Sequence, residues 1–332
     1  MIFVTGGTGL VGSNLLLQLV ERGEKIRALK RENSNIRKVE QFFKQNKSQE
    51  LFHKIEWIEG NLLDITFLPT ALKGITTIFH TAASVSFDEK YANEIIENNV
   101  IGTENLVNEA IDSGVKEFIY VSSIAAMDDL NPVTKLIDEK STWNNELKHS
   151  TYAISKYRGE MEVWRGSQEG LNVIVVNPSI IIGSFDGERE SERLFKDLFI
   201  NKFSSSGGTG FIDVRDVVNI LISLYDQKIY NQKFILNSEN RTYTSILTYI
   251  AKKKLKDVIE IGNETLKGLQ YISYLGKLIG LPTLNQATYK ALTNFVKYDN
   301  SKVTSTLNYQ FIPINDAIDY HFKNYQKNSS SK

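Results

Sequence analysis

The eight-residue run Thr5-Gly6-Gly7-Thr8-Gly9-Leu10-Val11-Gly12 constrains this chain more than any other segment. It closes the β-branched and aromatic run Ile2–Thr5. It opens the helical pattern Val11–Glu21, in which Val11, Leu15 and Leu19 share a face beside Leu16. Glycines at such a junction have separate duties: one permits a tight turn, one lets a phosphate approach the backbone, and Gly12 lets helix pack closely on strand. Free N–H groups and the helix dipole then favour a pyrophosphate. The spacing satisfies both Gly7-x-Gly9-x-x-Gly12 and Gly6-x-x-Gly9-x-x-Gly12, and the strand–turn–helix context makes it specific for a dinucleotide. The candidate contacts are Gly6, Thr8, Gly9, Leu10, Val11 and Gly12.

The same alternation continues. Strands are predicted at Lys25–Leu29, Ile55–Glu59, Thr77–His80, Phe118–Val121, Val173–Val176 and Lys233–Leu236. Helices are predicted at Ser34–Lys47 (well solvated), Leu68–Leu72, Ile95–Ser113, Thr151–Trp164, Leu194–Phe199 and Val217–Tyr225. Strands alternating with helices pair in parallel through right-handed crossovers. The expected fold is therefore α/β, a Rossmann-type doubly wound parallel sheet with a smaller, mostly helical C-terminal substrate lobe. Residues 1–178, with returning segments at about 211–240, make the dinucleotide-binding domain, and 179–332 mainly the substrate lobe. Ser204–Gly208 reads as a flexible loop, and the tail Gln326–Lys332 as frayed.

Composition removes several function classes. Lys+Arg and Asp+Glu both number 39, so no basic excess points to nucleic acid. With no cysteine, disulfides, thiolate catalysis and Cys-based zinc sites are excluded, which fits a cytoplasmic setting. His53, His80, His149 and His321 show no His-x-x-x-His spacing, so no metal site is expected. The apolar stretch Tyr271–Leu281 contains Lys277 and is too short to span a bilayer, and no leader peptide is expected.

Selection of the cofactor's ribose is read about 20 residues after the glycines. Here Lys25-Ile26-Arg27-Ala28-Leu29-Lys30-Arg31 ends in two cations and no acid. Cations suit a 2′-phosphate, so NADP(H) is expected over NAD(H), with Arg31 as the first ligand and Lys30 or Arg27 assisting. Asn61 and Leu62 follow the third strand, where they could flank the adenine.

Tyr152-Ala153-Ile154-Ser155-Lys156 puts a phenol and an ammonium on one helix face. A nearby Lys⁺ would lower the phenol's pKa and let Tyr152 shuttle a proton near neutral pH. The strand Glu117–Val121 runs into Ser122-Ser123, and hydroxyls at the carboxyl end of a parallel strand face the ligand crevice. Ser123 could orient the reacting oxygen.

Taken in order, the glycine turn, the strand-end serines and the Tyr-x-x-x-Lys helix resemble the extended short-chain dehydrogenase/reductase superfamily. Within it they are similar to the NAD-dependent epimerase/dehydratase, dihydroflavonol-reductase-like branch. Ile26–Arg31, Asn99-Val100-Ile101-Gly102-Thr103, Asn177-Pro178-Ser179, Phe211–Val217, Tyr298–Lys302 and Leu307-Asn308-Tyr309 add to the likeness, which thins between about Arg241 and Lys297. The resemblance implies a catalytic Ser123, Tyr152 and Lys156, with Tyr152 as acid/base and Lys156 as ribose-binding partner. It implies further cofactor contacts at Thr81, Ala82, Ala83, Val121, Asn177, Pro178 and Ile180, and makes Asn99 a brace for its helix or a water. The superfamily's dehydratases place an Asp-Glu pair after the serine; Ile124-Ala125-Ala126 lacks it, which counts against dehydration. Asp128 and Asp129 read as a solvated loop, His80 as structural, and Trp143 and Trp164 as packing.

Val85, Ser123, Ile124 and Tyr152 are the expected substrate contacts, within mostly small or apolar segments that suit a small, partly apolar carbonyl compound. The late helices Leu266–Phe295 read as core or lid, and a homodimer through them stays open. Two alternatives stand beside a carbonyl reductase: an NAD(P)-dependent epimerase or isomerase on a sugar- or steroid-like substrate, and a non-catalytic NADP(H) sensor. Retention of Ser123, Tyr152 and Lys156 disfavours the sensor.

Overall fold

The computed structural model describes residues 1–86, 89–184, 203–254, 257–276 and 286–330. Seven parallel strands form the main sheet: β1 (Ile2–Thr5), β2 (Ile26–Lys30), β3 (Glu56–Glu59), β4 (Thr77–His80), β5 (Glu117–Val121), β6 (Asn172–Pro178) and β10 (Gln232–Leu236). Their spatial order is β10-β6-β5-β4-β1-β2-β3. The order reverses between β1 and β4, where crossovers leave on opposite faces and a crevice opens at the strands' carboxyl ends. The residues after β1, β2, β4 and β5 therefore converge on one place, although the sequence scatters them.

Both sheet faces are buried, as helices covering a parallel sheet require. Side chains alternate across it: Val4, Ala28, Ile119, Val176 and Phe234 pack with Leu15 and Leu16 on one face. Phe3, Leu29, Ile78, Phe118 and Val175 pack with Leu106 and Val107 on the other. The β10 pairing (Phe234 opposite Val176) brings residues after 230 back to the main sheet. Beside the sheet, β7 (Ile180–Ile182), β9 (Gly208–Asp213) and β11 (Glu239–Thr242) form a three-stranded layer, and β8 (Phe203–Ser205) pairs with β12 (Ile259–Ile261).

Several expectations are corrected. Residues 203–208 are not a flexible loop: they carry β8 and the start of β9, and Gly207 N donates to Leu292 O at 2.9 Å. A Cβ on Gly207 would lie 2.5 Å from that carbonyl, so these glycines serve close packing. The helix Ile36–Gln45 is not solvated all round, because Val39, Phe42 and Phe43 are buried. The expected single helix over 95–113 is two α-helical pieces, Ala92–Ile96 and Gly102–Asp112, joined by the π-helical turn Glu97–Ile101. Helix Ile314–Ser330 runs through most of the supposedly frayed tail. The predicted helix at 194–199 lies outside the described residues. Among the described residues no helix is long and apolar enough to cross a membrane.

Candidate active site

The glycine turn is built by contacts that exclude side chains. Gly9 N donates to Gly6 O at 2.8 Å, closing the turn. Gly6 has φ +72°, and a Cβ there would meet Ala82 N at 2.6 Å. A Cβ on Gly12 would meet Gly6 O at 2.1 Å. Helix Leu10–Glu21 begins at Gly9 with no side-chain cap, and among the described residues no side chain takes the N–H groups of its first turn. Such a bare, dipole-aligned helix start beside a cradle that no Cβ can enter fits a dinucleotide's pyrophosphate. A cavity of about 520 Å³ runs past Gly9, Leu10, Val11 and Gly12 to Val121, Tyr152 and Lys156. A second, of about 130 Å³, lies beside Gly6, Thr8, Asn61, Leu62, Thr81 and Ala82. Arg31, Thr81, Ala83 and Ser84 line both, joining them into one channel.

At the far end of β2 the three cations separate. Lys30 is ion-paired with Glu59 on β3. Arg27 donates to Glu56 at 2.7 Å and to the carbonyls of Ala71 and Lys73. Neither is among the channel's lining residues. The side-chain period of two explains it, since Lys30 faces its neighbour strand's Glu59 across a parallel register pair. Arg31, one residue past the strand, does line the channel, and its backbone N–H donates to Ser34 Oγ at 3.0 Å. Ser34, Leu29 and Asn98 also line it and were missed. A hydroxyl three residues beyond the strand-end arginine was the available signal for Ser34. The Asn61-Leu62 loop is held by Asn105, whose Nδ2 donates to Leu62 O at 3.0 Å.

The helix Thr151–Gln168 carries the Tyr–Lys pair and starts at Ser150, whose hydroxyl accepts from Ala153 N at 3.2 Å. Tyr152 is half-buried in the cleft wall and hydrogen-bonds Ser123. Burial holds its phenol above the ordinary tyrosine value, with the Ser123 bond acting the other way. The fully buried Lys156 ammonium donates to Val121 O at 2.7 Å and sits 4.5 Å from the Tyr120 ring centre. Burial itself draws Lys156 down to about 7, with Glu160 opposing the shift.

Behind this pair lies a polar lattice. Asn99, presented by the π-helical turn, accepts from Ser84 N at 2.6 Å and donates to Ser84 O and Ser155 Oγ at 2.8 and 3.0 Å. It ties the loop after β4 to the helix bearing Tyr152 and Lys156. His80 is buried between Thr5 (2.6 Å) and Thr103 (2.9 Å), and burial, assisted by Lys156, brings it down to about 3. It is a neutral strut. Asn177 is fully buried, its Nδ2 donating to Ser123 O at 3.0 Å and Glu160 at 2.9 Å. Asn177, Pro178 and Ile180 do not line the channel; Ile181 does. Of the expected substrate contacts, Val85 lines it, while Ile124 packs with Met127, Ile137 and Tyr298 in a small core. Ser123 starts a short helical turn, accepting from Ala125 N, which turns Ile124 inward. Asp128 is not solvated: it accepts from Asn144 N at 3.0 Å and pairs with His149 at 2.7 Å. Trp143 stacks between His149 and Tyr157, with ring centres 3.7 and 4.5 Å away.

An uncapped helix start at the switch point of a doubly wound sheet, opening beside a buried Tyr–Lys helix, is the arrangement of an NAD(P)-dependent oxidoreductase. Residues 2–233 match the family described as NAD dependent epimerase/dehydratase, and the chain belongs to that family. Sterol demethylase protein B of Methylococcus capsulatus is 30% identical over 250 residues, 74% of this chain and 72% of that protein. Dihydroflavonol 4-reductase of Arabidopsis thaliana is 24% identical over 291 residues, covering 82% and 75%. The crystal structure of gox2253 superposes with a TM-score of 0.83 at 26% identity, covering 98% of each chain. The chain is an NAD(P)-dependent enzyme of the extended short-chain dehydrogenase/reductase type.

Proposed function

We propose that the enzyme reduces a carbonyl group on a small, partly apolar substrate, using NADPH in preference to NADH. The observation that carries this reading is one cleft of about 520 Å³ in which the glycine turn, Arg31, Tyr152 and Lys156 all meet. Its walls are mostly uncharged, with Val85, Ile95, Val121 and Ile181 beside Ser86 and Ser122. The cofactor's contribution is a hydride for the carbonyl carbon. Tyr152 gives its phenolic proton to the carbonyl oxygen, and Ser123, already bonded to that phenol, orients the oxygen. Lys156 holds the strand end through Val121 O and supplies positive charge behind the phenol. Arg31 takes the 2′-phosphate, with Ser34 alongside. The 1–178 layer then holds cofactor, and the residues after it supply most of the substrate lobe.

Calorimetric titration of NADPH and NADH, side by side, tests the cofactor half. Tighter NADPH binding is expected, and Arg31→Asp should weaken NADPH far more than NADH. Preference for NADH, or equal losses in the variant, overturns the Arg31 assignment. Steady loss of NADPH absorbance with added aldehydes or ketones tests the reaction itself. A cofactor that stays bound and never turns over in net terms points instead to an epimerase.

A further inference from the structure

One buried carboxylate has no part in the reaction as proposed. Glu160 lies one turn beyond Lys156 on the catalytic helix and is 2% exposed. Its Oε2 accepts from Ser122 Oγ at 2.7 Å and from Asn177 Nδ2 at 2.9 Å. Its Oε1 accepts from Trp164 Nε1 at 3.3 Å and faces Lys233 Nζ at 3.7 Å. Burying a carboxylate is costly unless its oxygens are paired, and three hydrogen-bond donors and the Lys233 ammonium pair these two. Ser122 and Asn177 lead back to the cleft. Ser122 lines it, next to Ser123. Asn177 bridges Glu160 to Ser123 O with one amide group. Lys233 comes from β10, the edge strand that pairs with β6. One side chain therefore joins β5, β6, β10 and the helix bearing Tyr152 and Lys156.

We propose that Glu160 is a positioning residue for the Tyr152–Lys156 pair: it locks the Ser122-Ser123 strand end in register and keeps the Lys156 ammonium charged. The inference rests on the reading of Tyr152 and Lys156 given above. The ammonium is directed at Val121 O, so Glu160 acts on it through the field along the helix rather than through a direct ion pair. Glu94, on the helix Ala92–Ile96, lines the same cleft, but the acid that raises Lys156 is Glu160, and the remaining ionisable groups cannot replace it. Tyr152 on the same helix and Tyr120 on β5 are neutral phenols, both held above their ordinary range chiefly by burial. His80 on β4 is neutral, and Lys233 is a cation beyond Glu160. Glu160 is the only one of these neighbours that favours the charged amine. In a dry site, an opposite charge on the next turn is worth roughly one pH unit or more to its partner.

The test reads Lys156 directly. Protein carrying lysine labelled with carbon-13 at Cε is titrated by NMR, and the Lys156 signal is assigned by its loss in Lys156→Arg. In Glu160→Gln the midpoint should fall by roughly one pH unit, and Glu160→Asp should restore at least half of that. Lys233→Met, which unmasks Glu160, should move it upward, and this variant serves if Glu160→Gln does not fold. Unchanged midpoints in either charge variant overturn the proposal. Where NADPH turnover of 4-nitrobenzaldehyde is measurable, the alkaline limb of kcat/KM should shift with the NMR midpoint. Absence of turnover in the wild type would count against the reductase reading alone, because the NMR midpoint stands without it.

Discussion

Gly12→Ala tests the phosphate cradle most sharply. The added methyl would sit 2.1 Å from Gly6 O, 2.7 Å from Gly6 C and 2.9 Å from Gly7 Cα. Ordinary contact begins near 3.4 Å, so the helix start must retreat by about 1.3 Å (3.4 − 2.1) from backbone that cannot turn aside. A phosphate held by N–H groups at about 2.9 Å would then be more than about 4 Å away, beyond hydrogen-bonding range. Losing two charge-assisted bonds, each worth about 1.5–3 kcal/mol, weakens the dinucleotide by roughly 100-fold or more. Overpacking adds a stability cost of about 1–3 kcal/mol. The control is Gly23→Ala: its Cβ meets nothing within 4 Å, but φ is +83°. It should cost stability alone, on the order of 1 kcal/mol. Calorimetry with NADPH and thermal melts measure both effects. Wild-type affinity in Gly12→Ala would refute the assignment of this turn to the pyrophosphate.

Tyr152→Phe should abolish carbonyl reduction while leaving NADPH affinity within about twofold, since only the proton donor is removed; wild-type turnover in that variant sinks the proposed chemistry. Asp216 gives a pH signature. Burial raises it to about 6, against bonds from Tyr309 and Ile312 N. The folded chain then binds a proton at higher pH than the unfolded chain, whose Asp titrates near 3.9. This group's stabilising contribution therefore grows as pH falls through about 6 and is complete below about 4. Asp213 runs the other way. Burial tends to raise it, but His321 and Arg215 outweigh burial and bring it to about 2, so its contribution is present above about 4 and fades as pH falls towards about 2. Urea unfolding at pH 7.5 and 5 should show Asp216→Asn losing more stability on acidification than the wild type, in which Asp216 offsets part of the loss that buried, neutral His80 causes; an identical pH change in both would mean that Asp216 ionises normally.

The doubly wound sheet and the glycine turn were legible in the residues alone, because both rest on local signals. Strand and helix periods differ, and Gly6, Gly9 and Gly12 are spaced for one turn. The Tyr152–Lys156 pair was legible for the same reason, since i and i+4 share a helix face. How individual side chains are used depends on the partners that folding brings to them. Lys30 and Arg31 are adjacent in the chain, yet β3 brings Glu59 to one and leaves the other lining the channel. Ile124 follows Ser123 but turns into the core, because Ser123 caps a turn there. Gly207 and Gly208 looked like slack until the backbones of Leu292 and Arg241 were placed against them. Glu160 stands one turn past Lys156, yet its partners Ser122, Asn177 and Lys233 come from three separate strand regions. A pattern of three or four residues encodes a local shape, whereas burial and partner choice depend on elements far along the chain that only the fold brings together.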